Sequence, residues 1–381
     1  MSSNKLGLSP SLVQALKDLK YDKPTPIQAA AIPAILEGKD VLGIAPTGSG
    51  KTASFVLPTL MKLESDKTIL RNRRVKALVL VPTRELAMQV NEVFQEFGKR
   101  MPKSIRTMAI FGGVSINPQM MNLNNIHVLI ATPGRLLELL EKKAVQLSDV
   151  RTLILDEADK MLNRSFQEEL DKILALLPKK RQNLLFSATL SPAIEEVKQL
   201  LLDDPKVIHI ASESNHIELI NQSAYVVTDE KKGPLLRYLI KTGKYKQVMV
   251  FTFSTIRADK ISAKLIKNGI QSLPIHGKKS QGARTEALAK FKSGAIQVLV
   301  ATDLLSRGID IEFLPCVINY ELPRSPKDYI HRIGRTGRAE NAGDAISLVT
   351  REDLTHFNTI QKKMGKWVEL TYSEEINLHG F

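Results

Sequence analysis

The stretch Ala45-Pro46-Thr47-Gly48-Ser49-Gly50-Lys51-Thr52 places a lysine and a threonine directly behind a glycine-rich turn. The apolar segment Asp40 to Ile44 precedes it, and Ala53-Ser54-Phe55-Val56-Leu57 reads as a helix after it. Strand, glycine-rich turn and helix in that order make a phosphate-binding loop. Gly48 and Gly50 let backbone N–H groups converge on an anionic oxygen with no Cβ in the way. The new helix adds its positive N-terminal end. Thr47 and Ser49 complete the turn, Lys51 is a point charge for the outer phosphates, and the Thr52 hydroxyl suits Mg²⁺. Ala45 stands where the general pattern has its first glycine. Asp156-Glu157-Ala158-Asp159, behind the apolar run Leu153–Leu155, supplies what nucleotide hydrolysis still lacks. Asp156 can hold Mg²⁺, largely through water. Glu157 can orient or deprotonate the attacking water. An ordinary glycine turn and a solvated acidic loop are the competing readings, and finding both features in one chain weighs against them.

Groups so far apart in sequence meet only if a fold brings them to one edge. Candidate strands lie at Ala77–Val81, Ile105–Ile110, His127–Ala131, Thr152–Leu155, Asn183–Ser187 and Val207–Ile210, with helical stretches between them. Such alternation predicts a parallel sheet covered by helices, which binds ligands beyond its strands' C-terminal ends. Ahead of it, Leu6 to Lys20 has helical apolar spacing, Tyr21 to Gln28 carries two prolines that predict an extended turn, and Ala29 to Leu36 reads as a second helix. The polar run from Ala211 to His216 reads as a linker. Alternation resumes with strands at Gln222–Val227, Gln247–Phe251, Gln271–Ile275, Gln297–Ala301, Cys316–Tyr320 and Ala345–Val349. This second half has no phosphate loop. Trp367 to Phe381 receives no assignment.

A chain of 381 residues suggests about two to three domains. With 43% hydrophobic and 25% charged residues it has the balance of a soluble globular protein. No apolar run approaches a membrane span, and Met1-Ser2-Ser3-Asn4-Lys5 carries no signal-peptide pattern. Cys316 is the only cysteine, which excludes disulfides and thiolate metal sites within one chain and suits a reducing cytosol. A net charge of +14 favours a polyanionic partner over a merely solvated surface.

Asp-Glu-Ala-Asp behind such a loop resembles the DEAD-box family of ATP-dependent RNA helicases, and further stretches match that family in order. Tyr21 through Gln28 resembles its adenine-reading Q motif. Pro82-Thr83-Arg84-Glu85-Leu86-Ala87, Gly112-Gly113 and Thr132-Pro133-Gly134-Arg135 resemble its first-domain RNA contacts. Ser187-Ala188-Thr189 resembles the coupling motif. Ala301-Thr302-Asp303 with Arg307-Gly308-Ile309-Asp310, and His331 through Arg338, resemble second-domain motifs. The resemblance spans about residues 6 to 350. Within the family, His276 through Thr285 looks most like the bacterial RhlE group. It implies an α/β fold of two tandem RecA-like domains, each a mainly parallel sheet with helices on both faces, here 1–210 and 221–381 joined by 211–220. It implies ATP and Mg²⁺ as cofactors. Gln28 would read the adenine edge and Tyr21 would stack on its face. Lys51, Thr52 and Asp156 would serve phosphate and metal, and Glu157 would be the base. Arg335 and Arg338 would be arginine fingers, and Asp310 would help at the ribose. Asp159, Ser187, Thr189 and His331 would couple the sites, although His331 reads equally as a packed helix residue. Arg84, Gly113, Thr132, Gly134, Arg135, Arg284 and Thr302 would hold RNA. Two places depart from the family: Ser3 stands near its isolated upstream phenylalanine, and Lys20 replaces the glycine before the Q-motif aromatic.

Small residues, hydroxyls and guanidinium groups at these RNA positions suit phosphate and 2′-OH contacts. Aromatics make up only 5% of the chain, so sequence-tolerant binding is expected. The basic runs Arg71-Asn72-Arg73-Arg74 and Pro178-Lys179-Lys180-Arg181 read mainly as solvated loops. The leading reading is a cytoplasmic, monomeric enzyme that couples ATP hydrolysis to local, non-processive separation of short RNA duplexes, with ribosome-assembly or RNA-decay complexes as candidate partners. An ATP-gated RNA clamp and a DNA motor are the alternatives.

Overall fold

Runs such as Ala77–Leu80 and Val128–Ala131 are apolar at every position, the pattern of strands buried on both faces, and all their residues are buried. The computed structural model describes residues 6–19, 21, 23–46, 48–162, 164–210, 220–303, 311, 314–337 and 343–381. Thr47, Asp310, Arg338, most of the expected linker, Ser3 and Lys20 lie outside the described residues. The chain divides into two units, Met1–Ser212 and Glu213–Phe381.

In the first unit, helices α1 (Pro10–Asp18) and α2 (Pro26–Leu36) lead to β1 (Val41–Ile44) and α3 (Lys51–Ser65). Then come β2 (Ala77–Leu80), α4 (Arg84–Gly98), β3 (Thr107–Ile110), α5 (Ile116–Met121), β4 (Val128–Ala131) and α6 (Pro133–Glu141). β5 (Thr152–Leu155), α7 (Ala158–Met161), α8 (Arg164–Ala175), β6 (Gln182–Ser187), α9 (Pro192–Leu201) and β7 (Lys206–His209) complete it. The strands form one parallel sheet in the order β3-β4-β2-β5-β6-β1-β7. Alternation along β2 sends Ala77 and Val79 into the core on one face and Leu78 and Leu80 into the core on the other. Each of the larger side chains, Leu78, Val79 and Leu80, contributes about 1.5–3 kcal/mol when fully buried.

The second unit runs β8 (Ile220–Val226), α10 (Asp229–Thr242), β9 (Val248–Thr252), α11 (Thr255–Lys267), β10 (Ser272–Ile275), α12 (Gln281–Lys292) and β11 (Val298–Thr302). β12 (Cys316–Asn319), α13 (Pro326–Ile333), β13 (Gly343–Val349), α14 (Leu354–Met364) and β14 (Leu370–Tyr372) follow. Its seven strands are parallel, in the order β10-β11-β9-β12-β13-β8-β14.

Three expectations need correction. The second proline of the Tyr21–Gln28 stretch opens α2 instead of extending the turn, because proline is tolerated at the first helical position, where the missing N–H has no partner to lose. Ile220 is no linker residue: it is buried and pairs with Gly343 at the start of β8. The unassigned C-terminal stretch supplies β14, whose Leu370 pairs with Ala224.

Candidate nucleotide and RNA site

Sheet register assembles the first-unit site. Leu80 pairs with Leu155, and Ile44 pairs with Ser187, so the phosphate loop, Asp156 and Ser187 leave the sheet at the same edge. Backbone hydrogen bonds hold them there: Ala45 N–H donates to Ser187 O at 3.0 Å, and Asp156 N–H to Leu80 O at 3.1 Å. In the loop, Gly50 caps α3 with φ of 90°, in the left-handed region. A Cβ there would lie 2.5 Å from Gln28 Nε2 and 2.8 Å from Thr25 Oγ1, so Gly50 is required for space as well as for conformation.

The Lys51 ammonium donates to Ala45 O at 2.6 Å and Pro46 O at 2.8 Å, carbonyls of its own loop. Burial pushes it below the usual lysine value against the pull of Asp156, Glu157 and Asp159. Asp156 accepts from Glu157 N–H at 2.9 Å, and burial, then Glu157, push its carboxyl up to about 6. In both groups the loss of water outweighs mutual attraction. Polyphosphate with a hard cation is a ligand that reverses that balance. Ser49 Oγ is buried without a partner among the described residues, and Thr52 and Asp156 offer oxygen donors, so the residues fit such a ligand. Glu157 sits at φ 52° and ψ 44°, a strained conformation for a non-glycine residue, and its carboxylate takes Lys160 at 2.6 Å. Lys160 was not anticipated, although its three-residue spacing on a helical turn was a readable signal.

Gln28 lies in the first turn of α2. Its Oε1 accepts from Thr25 N–H at 3.0 Å, and its Nε2 donates to Gly50 O at 3.2 Å, tying the proposed adenine reader to the phosphate loop. Tyr21 is 39% exposed and meets the Phe97 ring edge-on at 5.7 Å. Three of the residues expected to couple the sites also come together. Ser187 Oγ lies 3.0 Å from Asp159 Oδ1 and 2.8 Å from Thr189 O, and Thr189 Oγ1 lies 3.5 Å from Asp159 Oδ2.

The first-unit RNA candidates converge beyond β2, β3 and β4. Gly113, at φ 77°, leaves its Cβ position to the Arg84 guanidinium, whose atoms would lie 2.1–2.2 Å from an added carbon. Thr132 caps α6, on which Gly134 and Arg135 sit in the first turn. Arg135 donates to Val114 O and Glu138 Oε2, each at 2.9 Å, while its Nη1 is buried without a partner among the described residues. A buried, half-satisfied guanidinium beside small residues suits a phosphate oxygen.

In the second unit, Thr302 ends β11 beside Thr252 of β9, and Arg284 is buried in the first turn of α12. His331 and Arg332 lie in the last turn of α13 and Arg335 just beyond it. Arg332 is therefore part of the helix. It makes a bidentate pair with Asp303 at 2.6 and 2.8 Å, donates to Asn319 Oδ1 and Glu321 O, and lies over Phe251 at 5.0 Å. Four donated hydrogen bonds from one buried guanidinium mark Arg332 as the clamp that ties α13 to the end of β11. Glu321 is engaged too, by Thr252 Oγ1, Phe253 N–H and Arg257, which also pairs with Asp229 at 2.8 Å. No local spacing announces that network, because its members come from four separate segments.

Residues 25–197 match the DEAD/DEAH box helicase family and residues 230–340 the helicase conserved C-terminal domain. The ATP-dependent rRNA helicase RRP3 of Meyerozyma guilliermondii is 40% identical over 364 residues, covering 95% of this chain and 75% of its own. This chain is a DEAD-box helicase family member. The ATP-dependent RNA helicase CshA of Limosilactobacillus reuteri is 38% identical, with 95% of this chain and 72% of its own covered. Among solved structures, S. cerevisiae Dbp5 bound to RNA and ADP BeF3 matches with a TM-score of 0.84 at 30% identity, covering 97% of this chain and 95% of that one. The tandem RecA-like fold of this DEAD-box protein is thus shared with a protein captured on RNA and a nucleotide analogue.

Proposed function

We propose that the protein is an RNA-stimulated ATPase that separates short RNA duplexes locally. The observation that carries this reading is the meeting, at one sheet edge, of the phosphate loop, the Asp156–Glu157 pair and the Asp159–Ser187–Thr189 link. ATP supplies the phosphoanhydride bond, and Mg²⁺ the counter-charge on its phosphates, when bound. Lys51 exchanges its two loop carbonyls for phosphate oxygens. Thr52 and Asp156 would hold the metal, largely through water, and Glu157 holds the attacking water and takes its proton. Ser187 and Thr189 relay the state of this carboxylate turn, through Asp159, to the RNA edge. Gly113, Thr132, Gly134, Arg84 and Arg135, with Thr302 and Arg284 of the second unit, hold backbone phosphates and 2′-hydroxyls.

Neither unit carries a complete set of these groups. The first has the phosphate loop and base, the second Arg335 and Arg338 as fingers with Asp310 for the ribose. Hydrolysis therefore requires the units to close about the 211–219 segment, and ATP and RNA favour the same closed form. Relatives named rRNA helicases support ribosomal RNA as a substrate class. The His276–Thr285 stretch supports a place near the RhlE group, acting in the cytoplasm. The test is hydrolysis with and without RNA, paired with strand displacement from a short duplex. Absence of RNA stimulation overturns the reading. Stimulation without displacement favours a clamp, and equal stimulation by DNA favours a DNA motor.

A further inference from the structure

Two basic runs that the active site does not use, Arg71 to Arg74 and Pro178 to Arg181, meet in the first unit. They border one hollow of about 760 Å³ that Arg71 and Lys180 line together with Lys67, Lys76 and Arg151. A second hollow of about 540 Å³ shares Lys67, Lys76 and Arg151 and adds Lys62. Lys76 and Arg151 immediately precede β2 and β5, and Gln182, lining the second hollow, opens β6. The hollows therefore lie at the N-terminal edge of the sheet, opposite the edge that carries the phosphate loop and the Arg84, Gly113 and Arg135 cluster.

Six cationic side chains line the two hollows against two carboxylates, Asp66 and Asp149. Both carboxylates are already used. Asp149 pairs with Arg74 at 3.0 Å. Asp66 accepts from Thr68 N–H and Oγ1 and pairs with Arg151 at 3.2 Å. The carbonyls at the C-terminal end of α3, another source of negative potential, are capped by Lys103, which donates to Leu63 O and Asp66 O at 2.9 and 2.6 Å. What remains is uncompensated. Lys67, Arg71, Lys179 and Lys180 are exposed, and their side chains have no hydrogen bond or ion pair among the described residues. Concave walls concentrate this excess potential as a flat surface does not. Ile69, 86% exposed among the cations, adds an apolar contact for a sugar or base face.

We propose that this edge is a second RNA-binding surface, which takes the backbone phosphates of a segment flanking the one held at the opposite edge. The inference rests on the RNA substrate proposed above and extends it. An RNA so anchored stays on the protein when hydrolysis releases the first segment, so successive rounds act on the same molecule. Exposed lysine and arginine side chains along two hollows suit backbone phosphates, contacts that position a nucleic acid without reading its bases.

The test uses the full chain with Lys67→Glu, Arg71→Glu and Lys180→Glu combined; all three are exposed, and thermal unfolding checks the fold. The probes are oligouridylates of about 10 and about 40 nucleotides, the shorter matched to one single-strand groove. For the longer RNA, affinity falls about tenfold or more, and the slope of log affinity against log salt becomes shallower by about 2, as for three lost phosphates. Affinity for the shorter RNA and its stimulation of hydrolysis stay unchanged. If the shorter RNA still stimulates hydrolysis and the longer binds the variant as tightly, this inference alone is overturned and the surface passes to an acidic protein segment. Equal weakening for both lengths overturns it as well. A wild-type chain that binds neither RNA overturns the proposed function with it.

Discussion

The two units have one topology and two chemistries. Numbered within its own unit, each sheet runs third, fourth, second, fifth, sixth, first, seventh strand. Equivalent strand ends can therefore be compared directly. After the first strand, the first unit has the glycine turn and Lys51, with no acidic residue in the first turn of α3. The second unit has Thr228 as the cap of α10, with Asp229 and Glu230 in its first turn. Those carboxylates already use the positive helix end and repel a phosphate. After the fifth strand, the first unit has Asp156 and the strained Glu157. The second has Glu321, fully engaged by Thr252, Phe253 and Arg257. One scaffold thus carries a reactive edge in one copy and a clamped edge in the other, and side chains at strand ends make the difference.

The asymmetry can be broken most severely at Lys51. Lys51→Ala is expected to lower RNA-stimulated hydrolysis by more than about 10³-fold, the loss of the only cation within the Ala45–Thr52 loop. Turnover within about tenfold of wild type would mean that the two first-strand ends are not functionally different. Arg335→Ala tests the other side, with an expected loss of about 10³-fold in stimulated hydrolysis, the scale of a lost arginine finger. ATP binding by residues 1–210 does not involve Arg335, and hydrolysis by that fragment as fast as by the full chain with RNA would refute sharing of the site.

Arg332→Ala should act on stability instead, because it leaves the Asp303 carboxylate without its bidentate partner. A cost of about 3–5 kcal/mol is expected, read as unfolding of the second unit at lower denaturant while the first keeps its own transition. Ser187→Ala removes the contact to Asp159, and about tenfold slower strand displacement with hydrolysis largely kept is the expected outcome. Displacement and hydrolysis falling in parallel would place Ser187 in catalysis rather than in coupling.

The comparison also sharpens through pH. Asp156 is raised from 3.8 to about 6 by burial and by Glu157, so the folded chain holds this proton more tightly than the unfolded chain. The stabilising contribution is complete below about 4 and is lost as pH rises through about 6. Asp156→Asn, neutral at every pH, should therefore be more stable than wild type by about 3 kcal/mol above pH 7, with the gap closing towards pH 4. The same variant should not hydrolyse ATP. A gap that stays constant across this range would show that Asp156 is not held against its ionised form.

The phosphate loop, the acidic quartet and most of the strands were legible in the sequence, because each depends on residues adjacent in the chain. A glycine turn needs its own φ angles, and a buried strand needs its own apolar run. The alternation of strands and helices also announced the parallel sheets, since parallel neighbours require crossovers. Tertiary structure alone decided which distant groups meet. The pairing of Ile44 with Ser187 and of Leu155 with Leu185 sets Asp159 beside Ser187 and Thr189, and a register one residue away would turn those side chains to the other face. Of the closely spaced Arg332 and Arg335, only burial against Asp303, Asn319 and Phe251 reveals Arg332 as the clamp. Leu370–Tyr372 has no strand pattern of its own and becomes β14 because the edge of β8 offers it backbone partners. The two basic runs looked like separate solvated loops, and it is the shared N-terminal edge of one sheet that gathers their charge into a single surface.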